Sequence, residues 1–115
     1  MTLTLNEYQR RAKRTRRDDQ NQNEALANAA LGIAGEAGEV ADTVKKALYQ
    51  HHIIDRQQAL EELGDVLWYI SWLADLYGYT LEDVAHANIL KLWTRYPNGF
   101  NAERSRNRAN YKEKL

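Results

Sequence analysis

The sequence contains no cysteine, a single proline and only six glycines in 115 residues. Without cysteine there are no disulfides, no zinc–thiolate sites and no thiol catalysis. The scarcity of proline and glycine argues against an all-β fold, which needs many tight turns. No apolar run approaches the roughly 20 residues of a membrane span, and the N-terminal residues lack the apolar stretch of a signal peptide. We therefore expect a soluble, cytoplasmic protein without a membrane partner.

An excess of one charge is also lacking, because 16 basic residues balance 16 acidic ones. No overall field favours a nucleic-acid or membrane partner. The strongest local bias is a basic run between Arg10 and Arg17, a pattern that is usually a solvated face. The apolar fraction is 43%, but much of it is alanine. We predict one compact domain with a thin core that a partner subunit completes.

Start and stop signals predict four helices. Three helix starts carry a side chain that can cap the helix, with an acid or amide three residues later: Thr4 with Glu7, Asp55 with Gln58, and Thr80 with Asp83. Apolar residues at helical spacing place the second helix at about residues 23–49. Gly78 is the expected left-handed residue after the third helix, and Pro97 ends the fourth.

The predicted fold class is all-α: a four-helix antiparallel bundle, completed by oligomerisation. Short connections between long helices favour antiparallel neighbours, which is the basis for the bundle. Residues 1–100 form the predicted domain. Residues 101–115 contain mainly Asn, Arg, Lys and Glu and are predicted to be a polar, basic C-terminal tail.

Two pairs of carboxylates are the main chemical feature of the sequence. Glu36 and Glu39 fall on the second predicted helix, and Glu62 and Asp65 on the third. Residues three apart share one helix face, so two facing helices would place four carboxylates around one point. Their mutual repulsion calls for cations, and all-oxygen ligands suit Mg²⁺ or Mn²⁺. One such pair is common in charged helices, whereas two pairs among apolar residues favour a function.

Glycines and a basic face accompany the acids. Gly32, Gly35 and Gly38 recur every three residues inside a helix, each at a cost of about 1 kcal/mol relative to alanine. Tight helix packing and room for a ligand are both open interpretations of this stripe.

On the fourth helix, Asn88, Lys91 and Arg95 share one face, and Tyr96 follows. Such a face opposite the acids would suit a polyphosphate, which needs a metal on one flank and cations on the other. A solvated basic stripe is the alternative.

Three segments resemble MazG-like nucleotide pyrophosphohydrolases: residues 32–42 (GIAGEAGEVAD), 61–69 (EELGDVLWY) and 88–100 (NILKLWTRYPNGF). The resemblance covers about residues 4–100, and its specific part is E-x-x-E followed by E-x-x-D. It implies an all-α NTP pyrophosphatase fold, related to the dimeric dUTPases, that works as a homodimer or homotetramer. The implied reaction hydrolyses a (deoxy)nucleoside triphosphate to the monophosphate and pyrophosphate.

The resemblance also implies roles for particular residues. The catalytic, metal-holding residues are Glu36, Glu39, Glu62 and Asp65, with Mg²⁺ as the cofactor and Mn²⁺ as a substitute. The positions that match phosphate contacts are Lys91, Arg95 and Tyr96, with Asn88 nearby. The candidates for base recognition are Tyr8, Gln9, Asn28 and Trp68, and for Trp68 a place in the core or an interface is the favoured alternative.

A second hypothesis belongs to a different class of protein. It is a non-catalytic helical module that binds nucleic acid or an acidic partner through the basic N-terminal run. Such a module has no need of the double acidic motif, so the enzyme is favoured and nucleic acid is not the expected partner. The sequence leaves the preferred base and sugar open.

Overall fold

A computed structural model describes residues 2–107 of the chain. This part contains no strand and five helices: α1 (Leu5–Lys13), α2 (Gln22–Tyr49), α3 (Arg56–Leu76), α4 (Leu81–Arg95) and α5 (Ala102–Arg106). The predicted all-α class is confirmed. No helix within residues 2–107 is long and apolar enough to cross a membrane. The chain divides after Thr80 into two units, each described by itself, so the four-helix bundle stays a prediction.

Side-chain caps start α1 and α3 where the sequence placed them. The Thr4 hydroxyl accepts the N–H of Glu7 at 3.0 Å, and the Asp55 carboxylate accepts the N–H of Gln58 at 3.2 Å. The reciprocal half of each predicted capping box is replaced by other contacts. The Glu7 carboxylate binds two arginines of its own helix, and the Gln58 amide donates to Glu62.

The start of α2 differs slightly from the prediction. A complete capping box lies at Asn21, whose side chain accepts the N–H of Glu24 at 2.8 Å, while the Glu24 carboxylate accepts the N–H of Asn21 at 3.1 Å. The helix therefore begins at Gln22, one residue before the predicted start. Several polar residues in this segment can cap a helix, and Asn21 is followed at the third position by a glutamate.

Gly78 closes α3 as predicted. Its φ of +81° lies in the left-handed region, which glycine adopts without a steric cost. Its N–H donates to the carbonyl of Asp75 at 2.9 Å, and the N–H of Tyr79 donates to that of Ala74 at 2.9 Å. These two bonds form a Schellman motif that satisfies the last carbonyls of the helix.

The apolar core of the first unit is small. Ala25 and Ala29 of α2 are buried together with Trp72 of α3, and alanine lets the large indole approach the α2 backbone. The predicted apolar faces extend further than the buried ones, since Leu48 of α2 is 65% exposed and Leu60 of α3 is 62% exposed. The core is thin because much of the apolar content of α2 is alanine, which buries little area per residue.

One glycine of the predicted stripe determines how closely α2 and α3 approach. A Cβ atom at Gly32 would overlap the aromatic ring of Tyr69, whereas Gly35 and Gly38 have nothing within 4 Å of such an atom. The two interpretations of the stripe therefore apply to different residues. Gly32 serves helix packing, and Gly35 and Gly38 leave open space on α2 next to Glu36 and Glu39.

A buried polar network holds α1 and the segment after it against α3. The Gln9 amide nitrogen donates to the Asp75 carboxylate at 2.9 Å and to the Ser71 carbonyl at 3.2 Å. The Arg16 guanidinium pairs with the other oxygen of Asp75 at 2.6 Å, and its side chain is only 6% exposed. Buried polar and charged groups are tolerated when they are paired in this way.

The second unit contains α4 and a short helix that the sequence did not predict. Arg104 of α5 donates from Nε to the carbonyl of Arg95 at 2.7 Å and from a terminal nitrogen to that of Thr94 at 3.3 Å. A cation at the C-terminal end of α4 suits the negative end of the helix dipole. This contact lies within the predicted tail, of which residues 108–115 are outside the described residues.

Alanine substitutions in the glycine stripe should have opposite effects on stability. Gly32→Ala forces the Tyr69 ring to move, so the free energy of unfolding should fall by about 1–2 kcal/mol after the gain in helix propensity is counted. The Cβ atom that Gly35→Ala adds meets no other atom, so this variant should raise the free energy of unfolding by up to about 1 kcal/mol. Urea unfolding measures both, and two changes of the same sign would contradict this assignment.

Loss of the Gln9 amide should destabilise the fold. Gln9→Met keeps the length of the side chain but removes the buried donor to Asp75 and Ser71, at a cost of about 1–3 kcal/mol. The matched control is Gln57→Met, because Gln57 lies exposed on α3 and should change the free energy by less than about 0.5 kcal/mol. Equal losses in urea unfolding would show that the network contributes nothing specific.

Candidate active site

The two predicted carboxylate pairs lie on α2 and α3, which pack against each other. The Tyr69 ring lies on Gly32. Thr43, which follows Gly32 in α2, contacts Glu62, which precedes Tyr69 in α3, so α3 runs antiparallel to α2. Counted from the Gly32–Tyr69 contact, four residues along each helix lead to Glu36 and Asp65, and three more lead to Glu39 and Glu62.

A hydrogen bond across the two helices holds the Glu62 carboxylate. The Thr43 hydroxyl of α2 donates to Glu62 Oε1 at 2.9 Å, and the Gln58 amide donates to the same oxygen at 3.2 Å. Thr43 follows Glu39 by about one turn of α2, so the Glu62 carboxylate contacts α2 one turn beyond Glu39. Glu36 and Glu62 are half-buried, whereas Glu39 and Asp65 are exposed.

The acids do not converge as they stand. Within residues 2–107, no three histidine, aspartate or glutamate side chains lie close enough together to hold a metal ion. Like charges repel one another, and Glu62 is drawn towards Thr43. The donor chemistry nevertheless fits a hard cation, because all four groups offer carboxylate oxygens. The open space beside Gly35 and Gly38 leaves room for such an ion and its ligand.

Lys46 is a charged neighbour of the acids that the sequence analysis missed. Its ammonium lies 2.9 Å from the Asp42 carboxylate. That hydrogen bond is the main cause of the raised pKa of Lys46, and the negative charges of Asp42, Glu39 and Glu62 add to it. The i, i+7 spacing from Glu39 is the pattern that indicates this proximity. Asp42 is therefore engaged by a lysine.

Tyr8 is the predicted base-recognition residue whose electrostatic surroundings include one of the four acids, Asp65. Burial is the main reason why the pKa of its phenol is raised, and the negative charge of Asp65 raises it further while Arg16 lowers it. The phenol therefore lies within electrostatic range of Asp65. Because α1 is held to α3 by the network around Gln9, this position follows from the packing of α1.

The other three candidates for base recognition have contacts within the fold. Gln9 is 4% exposed, and its amide nitrogen serves the α1–α3 network. The Asn28 amide donates to the side chain of Gln20 at 3.3 Å. The Trp68 indole N–H donates to Thr15 at 2.8 Å, and its ring packs against the core, in line with the favoured alternative for this residue.

Four aromatic residues on or next to α3 and α4 differ in exposure. Trp72 is buried, and its ring centroid lies 6.3 Å from that of the half-buried Tyr69. Tyr77 and Trp93 are 65% and 67% exposed, so neither belongs to the core of this chain. Helical spacing alone does not separate the two groups.

The predicted phosphate-binding residues lie on or directly after α4, in the second unit. Asn88 and Lys91 are exposed, and Arg95 and Tyr96 are half-buried. Arg95 lines a cavity of about 400 Å³ together with Arg104 and three polar residues of the α5 segment: Asn101, Glu103 and Asn107. A role of these residues opposite the carboxylates stays a prediction.

Comparison with known proteins identifies the family. The family model described as MazG nucleotide pyrophosphohydrolase domain matches residues 24–100, which is more than half of the chain and includes both carboxylate pairs and α4. The described residues define an all-helical protein with two carboxylates on each of two antiparallel helices. Within that class, the chain belongs to the MazG nucleotide pyrophosphohydrolase domain family.

Two relatives are similar in sequence. The Gene 37 protein of Mycobacterium phage L5 is 38% identical over 80 residues, which cover 66% of this chain and 70% of that protein. The uncharacterized protein YvdC of Bacillus subtilis (strain 168) is 49% identical over 41 residues, which cover 36% of this chain and 39% of that protein. No solved structure matches the chain. Neither relative's name states an activity.

Proposed function

We propose that this protein is a magnesium-dependent nucleoside triphosphate pyrophosphohydrolase, which converts a (deoxy)nucleoside triphosphate to the monophosphate and pyrophosphate. The observation that carries the proposal is that Glu36 and Glu39 lie on one of two packed, antiparallel helices and Glu62 and Asp65 on the other, in a member of the MazG family. Four carboxylates along one seam repel one another and need cations. A triphosphate also needs cations, so one site satisfies both.

The four carboxylates would hold Mg²⁺, with Mn²⁺ as a substitute. When bound, the metal neutralises phosphate charge and lowers the pKa of a bound water. Glu36 would orient the attacking water and take its proton. The water oxygen would form a bond to the α-phosphorus as the bond from the α-phosphorus to the oxygen that bridges it to the β-phosphorus breaks, and pyrophosphate would leave with that bridging oxygen.

Residues of α4 and α1 would bind the rest of the substrate. Lys91 and Arg95 offer positive charge, and Tyr96 and Asn88 offer hydrogen bonds to the phosphates. Tyr8 is the favoured contact to the base or sugar, because its phenol is within electrostatic range of Asp65. The proposal places the enzyme in the cytoplasm, where nucleoside triphosphates are made.

The protein would act as a homodimer or homotetramer. Large apolar side chains of α2 and α3 are exposed, among them Leu31 at 71%, Leu48 at 65% and Leu60 at 62%. Exposed apolar residues scattered singly are normal, but an extended apolar surface marks an interaction site. A second copy of the chain would cover these residues and enlarge the thin core.

The basic run supports the enzyme over the nucleic-acid module. Four of its arginines already bind carboxylates of the same chain: Arg10 and Arg11 with Glu7, Arg16 with Asp75, and Arg17 with Asp19. Affinity for nucleic acid depends on cations that neutralise phosphates. Arginines that already pair with carboxylates neutralise fewer phosphates than the number of basic residues in the run indicates.

Pyrophosphate release is the direct test of the enzyme. With Mg²⁺ and the eight common NTPs and dNTPs, we expect pyrophosphate and monophosphate from one or a few substrates. Glu39→Gln removes a ligand charge, worth several kcal/mol at the transition state, and should lower kcat/KM by about 100-fold or more.

The matched control is Glu61→Gln, which removes an exposed carboxylate next to Glu62 and should leave kcat/KM unchanged. No pyrophosphate from any of the eight substrates, with Mg²⁺ or Mn²⁺, would contradict the proposed reaction. Equal losses of kcat/KM in the two variants would show that Glu39 is not part of the active site.

Retention on heparin tests the second hypothesis. At about 0.15 M salt we expect the wild-type protein to pass through the column, because its arginines are largely paired. Glu7→Gln releases Arg10 and Arg11 and should increase retention. Strong, salt-sensitive binding of the wild-type protein would favour the nucleic-acid module instead.

A further inference from the structure

Thr43 makes a contact that the paired carboxylates alone do not explain. Its hydroxyl donates to Glu62 Oε1 at 2.9 Å and thereby joins α2 to α3. Both residues are half-buried, so the bond is partly protected from water. A second donor, the Gln58 amide, binds the same oxygen from within α3 at 3.2 Å.

The direction of the Thr43 hydroxyl is not the usual one inside a helix. A threonine there commonly donates to the carbonyl one turn earlier. Thr94 of α4 does so, with its hydroxyl 3.0 Å from the Leu90 carbonyl. A hydroxyl has one hydrogen to donate, and Thr43 donates it to the Glu62 carboxylate of the neighbouring helix.

The Thr43 hydroxyl and the Gln58 amide both donate to Oε1 of Glu62. Two donors on one oxygen restrict the side-chain rotamer and distinguish the two oxygens, so a cation would be bound through Oε2. Partners that orient a metal ligand in this way support affinity, and their loss typically costs about 10–100-fold in metal binding.

We propose that Thr43 is a positioning residue that orients Glu62 for the divalent cation, with Gln58 as a secondary support. This inference rests on the proposed function, because it takes Glu62 as a metal ligand. A bond that served only helix packing would have the same geometry. The two roles differ in what they change: packing alone affects unfolding, whereas positioning affects metal affinity in the folded protein.

The experiment measures Mn²⁺ binding to the full chain by isothermal titration calorimetry, with the melting temperature of each variant recorded. Thr43→Val has the same shape without the hydroxyl and should weaken Mn²⁺ binding about tenfold or more. Thr43→Ser restores the hydroxyl and should bind within about twofold of the wild type, with a smaller effect expected for Gln58→Met. Gln57→Met, the matched control, loses only a 3.4 Å contact with Glu61 and should bind like the wild type.

The outcomes separate this inference from the proposed function. Weaker Mn²⁺ binding by Thr43→Val, together with recovered binding in Thr43→Ser, supports the positioning role of Thr43. This result would hold even if the wild-type protein released no pyrophosphate and the proposed reaction were wrong. Unchanged Mn²⁺ affinity in Thr43→Val overturns the positioning role of Thr43. The proposed function still stands in that case if the wild-type protein releases pyrophosphate. Failure of Thr43→Ser to recover also overturns positioning. If the wild type binds no Mn²⁺, both proposals fall.

Discussion

The close approach of α2 and α3 at Gly32 is the contact on which the rest of the first unit depends. With no side chain at that position, the Tyr69 ring lies directly against the α2 backbone. This contact sets both the spacing and the register of two long helices. Because helices are stiff, a register fixed at one point is carried along the seam to Glu36, Glu39, Glu62 and Asp65. The catalytic hypothesis therefore depends on a packing contact one turn away from the acids.

Polar contacts supplement the thin apolar core of this unit. The α2–α3 core has two alanines and one tryptophan as its buried members, so it buries little apolar area. The α1 helix is held mainly through Gln9, and the segment after it through Arg16, both bound to Asp75. Among residues 2–107, no hydrogen-bond partner is found for the buried Arg16 Nε, which is a cost of this arrangement. The same packing of α1 brings the Tyr8 phenol within electrostatic range of Asp65.

The surroundings of the acids combine repulsion with partial compensation. The Lys46 ammonium, held by Asp42, adds one positive charge near Glu39 and Glu62, and Thr43 and Gln58 supply neutral donors to Glu62. These groups lessen the repulsion between carboxylates without occupying the open space beside Gly35 and Gly38. Compensation of this kind lowers the electrostatic cost of four carboxylates on two packed helices.

The sequence alone determined the first four helices and the carboxylate chemistry of the two acid pairs. Caps such as Thr4 and Asp55, the closing Gly78 and the i, i+3 spacing of the carboxylates depend on residues within about one turn of each other, so a local pattern suffices. Only the tertiary structure decided that Gly32 packs while Gly35 stays open, that Gln9 is buried, and that Thr43 bonds Glu62. Those outcomes depend on the register between helices, which arises from contacts between residues far apart in the chain.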